Sequence, residues 1–163
     1  MSGLEAVELE EAHEAEVPVL DRLLQLYLYD FSEIEGLPVD AAGRYSQVSP
    51  MSTWMKPGHR AFLVRVDREL AGVVLVKPAT DDAPGAPSRI LDEFFIMRKF
   101  RRRRIGRAVA RRVFDLLPGR WCLNQTPHNY PAQAFWRSVL AEYTNGRFDD
   151  VVIDGRPTQR FTS

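Results

Sequence analysis

The stretch "RKFRRRRIGRAVARR", residues 98–112, sets nine cations into fifteen positions of a chain whose 22 Lys and Arg are matched by 22 Asp and Glu. So dense a run cannot be buried, and it can continue as a helix only where its apolar positions fall on one side. They do so after Gly106: Val109, Val113, Leu116 and Leu117 recur at helical spacing until Pro118 and Gly119 stop the pattern. Just upstream, "RILDEFFIM" reads as a strand whose apolar run suggests burial on both faces. The cations therefore occupy the turn between a buried strand and a helix start. The first turn of a helix offers unpaired N–H groups and the positive end of its dipole, which favour phosphate. A glycine there permits an unusual backbone conformation and close approach of the anion. Strand, basic loop, Gly106 and helix together predict a phosphate cradle.

The rest of the chain alternates helices and strands. "AVELEEA" is a weak first strand. From Pro18, residues Leu20, Leu23, Leu24, Tyr27, Leu28 and Phe31 fall three and four apart, which makes "PVLDRLLQLYLYDFSEI" a helix with a broad buried stripe. Between Gly36 and Gly58 periodicity is lost; a loop with a short helix is expected, in a place suited to covering a substrate. "RAFLVRV" and "ELAGVVLVKP" form a hairpin turning at Asp67, Arg68 and Glu69, and "RWCLNQT" is a further strand. "NYPAQAFWRSVLAEY" is a helix with Pro131 in its first turn and Phe135, Trp136, Val139 and Leu140 on its inner side. "DDVVIDG" and "TQRFTS" close the chain as a hairpin around Asp154 and Gly155. This order predicts an α+β fold, an α/β layered arrangement, with a mixed sheet of six to seven strands and about four helices, in a single domain over residues 1–163.

Composition excludes several classes. Zero net charge argues against a protein that coats nucleic acid, and Phe100 is the only aromatic residue within the basic loop. Charge is instead sorted by position, with six glutamates and no Lys or Arg in residues 1–16. One cysteine, Cys122, allows no internal disulfide framework, and its place between Trp121 and Leu123 reads as inert core rather than a nucleophile served by His128. His13, His59 and His128 lack metal-ligand spacing, so no metal is expected. No apolar stretch spans a bilayer and no signal peptide is expected, so no membrane partner is expected and the cytoplasm is the expected compartment.

"FFIMRKFRRRRIGRAVARRVF" followed by "NQTPHNYPAQAFW" resembles the acetyl-CoA-binding core of the GNAT N-acetyltransferase superfamily, and the likeness covers most of the chain. In that family a strand enters a loop of pattern Arg/Gln, two residues, Gly, one residue, Gly/Ala, then a helix. Arg101 matches the leading Arg and Gly106 the closing Gly; Arg104 stands where the first Gly is expected. A register starting at Arg103, with Gly106 and Ala108, also satisfies the pattern but moves the helix start by two residues. The resemblance implies a splayed parallel pair of strands, "EFFIM" and "RWCLN", with acetyl-CoA in the gap. Backbone groups of Phe95, Ile96 and Met97 would pair with the pantetheine amides. Arg101, Arg102, Arg103, Arg104, Ile105, Gly106 and Arg107 would hold the pyrophosphate, and Asn129 the far side of the pantetheine. An L-residue at the Arg104 position would meet strain of roughly 1 kcal/mol or more in a left-handed turn.

Acetyl transfer to a primary amine needs a base, a donor for the tetrahedral oxyanion and a proton for the departing thiolate. The resemblance implies a backbone N–H near Ile96 as the oxyanion donor. Glu93 is the candidate base, acting through water, with Asp92 on the opposite face as the alternative. Trp136 occupies the position of a tyrosine acid in many relatives, and indole cannot supply that proton. Solvent, Tyr27 or Tyr143 would have to do so. Tyr27, Tyr29 and Asp30, at the end of the first helix, are the candidate acceptor contacts, where an acidic patch would suit a cationic amine. Polyamine-like molecules, aminoglycosides, amino acids and protein N-termini are all open as acceptors. A non-catalytic acyl-CoA-binding protein is the alternative reading, and the chain is expected to be a monomer or a homodimer.

Overall fold

In the computed structural model, residues 6–47, 51–81 and 83–163 are described. Seven strands form one sheet in the order β1-β2-β3-β4-β5-β7-β6, where β1 is Val7–Glu11, β2 Arg60–Val66, β3 Glu69–Pro78, β4 Arg89–Ile96, β5 Arg120–Asn124, β6 Asp149–Ile153 and β7 Arg156–Thr162. Among the described residues there are three α-helices, α1 (Val17–Glu35), α2 (Ile105–Leu116) and α3 (Tyr130–Tyr143), rather than about four. Among its described residues, the stretch between Gly36 and Gly58 contributes the short 3-10 turn Met51–Met55.

Each face of the sheet has its own core. Leu20, Leu23 and Leu24 of α1 pack with Leu63, Val73, Leu75 and Phe95. On the other face Val109, Val113 and Phe114 of α2 and Trp136, Val139 and Leu140 of α3 cover Val64, Val74, Leu91, Trp121 and Phe161. The helical periodicities in the sequence are these two buried stripes. α1 ends where Gly36 turns left-handed at φ 64° and its N–H bonds the Ser32 carbonyl at 2.8 Å. The glutamates of β1 are used across the strand pair, Glu11 on Arg60 and Glu10 on Arg65.

Two irregularities shape the centre of the sheet. β4 and β5 are parallel but pair only over Arg89–Leu91 and Trp121–Leu123. β4 then runs on to Ile96 bonded to β3 alone, so the two strands part and leave one edge of β4 open. The second irregularity is a bulge. Leu75 faces Glu93 and Val76 faces Leu91, which makes Asp92 an extra residue in β4. Alternation fails across it: Asp92 pairs with Lys77, on the same face as Leu75 and hence as Glu93. Asp92 and Glu93 are therefore neighbours on the α1 face, not on opposite faces as strict alternation requires.

Candidate functional site

A cavity of about 680 Å³ opens where β4 and β5 separate. The end of α1 forms one wall (Tyr27, Phe31, Ile34), β4 the floor (Phe94, Phe95, Ile96), and the α2 and α3 N-termini the remainder (Arg102, Arg104, Gly106, Asn129).

Strand geometry decides which main-chain groups reach it. The Met97 N–H donates to Ala71 at 2.8 Å and the Met97 carbonyl accepts from Phe100 at 2.9 Å, so both are occupied. The Phe95 carbonyl faces β3 so closely that a Cβ on Gly72 would lie 2.0 Å from its oxygen. By the period of two, Ile96 and Phe94 present their main chain to the open side. The expectation for Phe95 and Met97 is thus corrected: residues one apart from Ile96 turn towards β3, and Phe94 takes their place beside Ile96. The Ile96 carbonyl already accepts from Arg101 Nε at 2.8 Å.

Above this floor the chain makes a 3-10 turn over Arg98–Phe100 and enters α2 through two left-handed arginines, Arg102 (φ 61°) and Arg104 (φ 60°). The expected strain at Arg104 is present, and a second strained residue accompanies it. Neither guanidinium has a partner among the described residues, and both line the cavity. The others are engaged. Arg101 and Arg98 bind Asp30, the latter through Nε at 2.7 Å. Lys99 binds Glu69, and Arg103 lies over the Phe100 ring at 5.7 Å. Arg107 bonds Glu142 and Ser138 of α3. Ile105 is buried and anchors the helix start. The N–H groups of Ile105, Gly106 and Arg107, with no preceding turn to bond, point out of the first turn. Gly106 has ordinary helical backbone; it is needed because a Cβ would stand 3.2 Å from the Phe135 ring.

The strain makes a separable prediction. Arg104→Gly should stabilise the protein by about 1 kcal/mol, whereas Arg104→Ala, which keeps a Cβ in the left-handed region, should not. Both should weaken phosphate-ligand binding equally, since both lose the same charge; thermal unfolding and calorimetric titration of the pair separate the two effects.

The catalytic candidates divide. Burial first, then the Asp92 charge, pushes the Glu93 carboxyl up to about 7, against the opposing pull of the Tyr27 hydroxyl and Lys77. The Tyr27 phenol is held well above its ordinary range by burial and by Glu93, so it stays protonated. Its ring packs on Phe95 with centroids 5.5 Å apart. Tyr143 is elsewhere: its hydroxyl donates to Asp115 at 2.8 Å, it is pushed up to about 12 by burial and that carboxylate, and it does not line this cavity. Trp136 lines the cavity, its ring edge-on to Phe94 at 4.9 Å. Asn129 caps α3, its side-chain oxygen accepting from the Ala132 N–H at 3.2 Å.

Of the acceptor candidates, Tyr27 alone is available. Tyr29 is 69% exposed and outside the cavity wall, because two residues along a helix turn about 200°. Asp30 lines the cavity, but its charge is spent: although burial raises its carboxyl, Arg101 and Arg98 outweigh that and hold it low. The acidic patch expected at this helix end is neutralised by the basic loop. What the sequence did not signal was the bulge at Asp92 and the Asp30 pairing, which joins segments about 70 residues apart.

Residues 20–140 match the Acetyltransferase (GNAT) family. The chain belongs to that family. Its fold is that of solved GNAT structures. An acetyltransferase from Thermus thermophilus superposes with TM-score 0.69 at 20% identity, over 96% of this chain and 97% of that one. The PaiA N-acetyltransferase of Thermoplasma acidophilum, in complex with coenzyme A, gives 0.62 at 12%, over 97% and 99%. The ribosomal-protein-S18-alanine N-acetyltransferase of Escherichia coli gives 0.61 at 10%, over 96% and 94%. No curated protein sequence matches the chain significantly. The parting of β4 and β5 is the splayed parallel pair that the resemblance implied. Among the described residues no helix is long and apolar enough to cross a membrane, and no His, Cys, Asp or Glu cluster could hold a metal.

Proposed function

We propose that this GNAT protein transfers an acetyl group from acetyl-CoA to a primary amine by direct attack on the thioester. The observation that carries the reading is the meeting, in one cavity, of an open β4 edge and a helix N-terminus with two arginines that have no partner among the described residues. Arg102, Arg104 and the first-turn N–H groups suit a pyrophosphate, the main chain of Phe94 and Ile96 suits the pantetheine amides, and the Ile96 N–H suits an oxyanion. Arg101 and Arg103, tied to Asp30 and stacked on Phe100, would shape the loop. Glu93 is the base.

The acceptor side is aromatic and aliphatic, built from Tyr27, Phe31, Ile34 and Phe95, with Glu33 a second carboxylate, 4.0 Å from the Arg98 guanidinium. An acceptor carrying one amine on an apolar body fits such a wall; a polycation would meet Arg98 and Arg101, whose two charges Asp30 offsets only in part. Calorimetric titration with acetyl-CoA, CoA and dephospho-CoA tests the cofactor assignment. Micromolar binding that weakens when the 3′-phosphate or the nucleotide half is trimmed is expected. No binding of acetyl-CoA would refute it. With the cofactor site established, 2-phenylethylamine should be acetylated at least about tenfold more efficiently than spermidine, a difference of about 1.4 kcal/mol in transition-state binding; the reverse order would overturn the acceptor assignment.

A further inference from the structure

The open edge of β4 costs its last residue a hydrogen-bond partner. β5 pairs with β4 only as far as Leu91, and beyond that point β4 has no strand neighbour on this side. Arg101 supplies the missing bond from a side chain: its Nε donates to the Ile96 carbonyl at 2.8 Å. The N–H of the same peptide unit, on Met97, donates to Ala71 of β3 at 2.8 Å. The peptide after Ile96 is therefore pinned from both sides, and the one before it is held by the pairing with β3. With both planar neighbours fixed, the direction of the Ile96 N–H is fixed as well.

Arg101 is itself held. Its Nη2 donates to Oδ2 of Asp30, near the end of α1, and its guanidinium lies 5.8 Å from the centroid of the Phe95 ring. Asp30 takes Arg98 on its other oxygen, through Nε at 2.7 Å. The Asp30 side chain is only 21% exposed, which sets it apart from the solvated surface pairs that contribute little. Glu33 does not duplicate it, for it approaches Arg98 at 4.0 Å and is not paired with Arg101.

We propose, on the basis of the acetyl-transfer reading above, that Asp30 is a positioning residue: through Arg101 it fixes the Ile96 peptide that presents the oxyanion donor, and its charge limits how tightly the cavity holds the anionic cofactor. The two effects come from one carboxylate. A donor that cannot turn needs no reorganisation as the tetrahedral oxyanion forms, so loosening it lowers kcat. The same carboxylate offsets part of the positive charge that Arg98, Arg101, Arg102 and Arg104 bring to the cavity wall, so its removal strengthens the attraction for phosphates. Loss of Asp30 thus acts in opposite directions on binding and turnover. A carboxylate that merely braced the fold would weaken both when removed.

The test is Asp30→Asn beside Arg101→Lys, their double variant and Asp30→Glu. Each is assayed with acetyl-CoA and whichever of 2-phenylethylamine, an alanine-terminated peptide and spermidine the wild type turns over fastest. Asp30→Asn should lose about tenfold or more in kcat while its dissociation constant for acetyl-CoA falls about threefold or more at low salt, the second effect shrinking as salt is raised. Arg101→Lys keeps the charge, but one ammonium cannot span Asp30 and Ile96, so kcat should fall to a similar degree with acetyl-CoA affinity unchanged by calorimetry. The double variant should be no slower than the slower single one, because both act through one contact, and Asp30→Glu should recover most of the rate. An Asp30→Asn enzyme that keeps its kcat within about twofold, or that loses kcat and acetyl-CoA affinity together, overturns the positioning role and leaves the acetyltransferase reading standing. A wild type that acetylates none of the amines overturns both. Should Asp30→Asn fold poorly, Arg101→Lys decides: an unchanged kcat excludes the tether.

Discussion

Replacing Gly106 by valine is expected to raise the dissociation constant for acetyl-CoA by at least about 100-fold, close to 3 kcal/mol of binding energy. Two obstructions act at one position. A Cβ already stands 3.2 Å from the Phe135 ring, tighter than ordinary contact, so α2 and α3 must move apart at the point where both line the cavity. The valine methyl groups would also fill the space in front of the first-turn N–H groups, which a pyrophosphate must approach closely. Overpacking of this kind costs typically about 1–3 kcal/mol of stability, a fraction of what a domain of this size holds. The folded variant can therefore be titrated, with circular dichroism as the control. Gly106→Ala should fall between, because the ring of Phe135 can yield to one methyl group but not to three carbons. An unchanged dissociation constant for Gly106→Val would remove the α2 N-terminus from the cofactor site.

Much of this arrangement is written locally. The two hairpin turns, Asp67–Arg68 and Asp154–Gly155, take positive φ at both central positions, as two-residue turns between twisted strands require. The stripes of α1 and α2, the cap at Gly36 and the position of Pro131 are likewise consequences of neighbours in sequence. The basic run could be placed between strand and helix for the same reason. What the sequence did not disclose depends on partners far along the chain. The Asp92 bulge is a mismatch between β3 and β4, visible only once both strands are in register, and it reverses the face on which Asp92 lies. Asp30 looks like a free carboxylate until Arg98 and Arg101 fold onto it. The main-chain groups offered at the open edge depend on the parity of the β3 pairing, which the run "EFFIM" cannot reveal; hence Phe94 rather than Phe95 and Met97. Tyr27 reads as one more apolar position of a helix, and only the fold brings its ring onto Phe95 in the cavity wall. Gly106 was legible as a necessary glycine, but the expected conformational reason belongs instead to Arg102 and Arg104.

Glu93→Gln should make the protein more stable and less active, and the two effects should appear over the same range of pH. Burial raises the Glu93 carboxyl from 4.5 to about 7. The folded state therefore holds this proton more tightly than the unfolded chain, so the group's relative stabilisation is complete below pH 4.5 and is lost as pH rises through 7. Above pH 7 the buried carboxylate costs up to about 3 kcal/mol relative to a neutral group, taking about 1.4 kcal/mol for each pH unit of the shift. Glutamine removes that cost. The melting temperatures of wild type and variant should coincide near pH 4.5 and separate by several degrees at about pH 8, the variant being higher. Activity must run the other way. A base works only when ionised, so the wild-type rate should climb through about pH 7 and level off above it, while Glu93→Gln should lose about 100- to 10,000-fold at about pH 8 and show no such limb. Equal melting temperatures at that pH would mean that Glu93 is not buried as a charge, and a normal rate would remove it from the chemistry. A variant that gains stability where it loses turnover is the signature of a carboxylate kept in an unfavourable place for the sake of its proton, and that combination would not arise from Glu93 as a surface or packing residue.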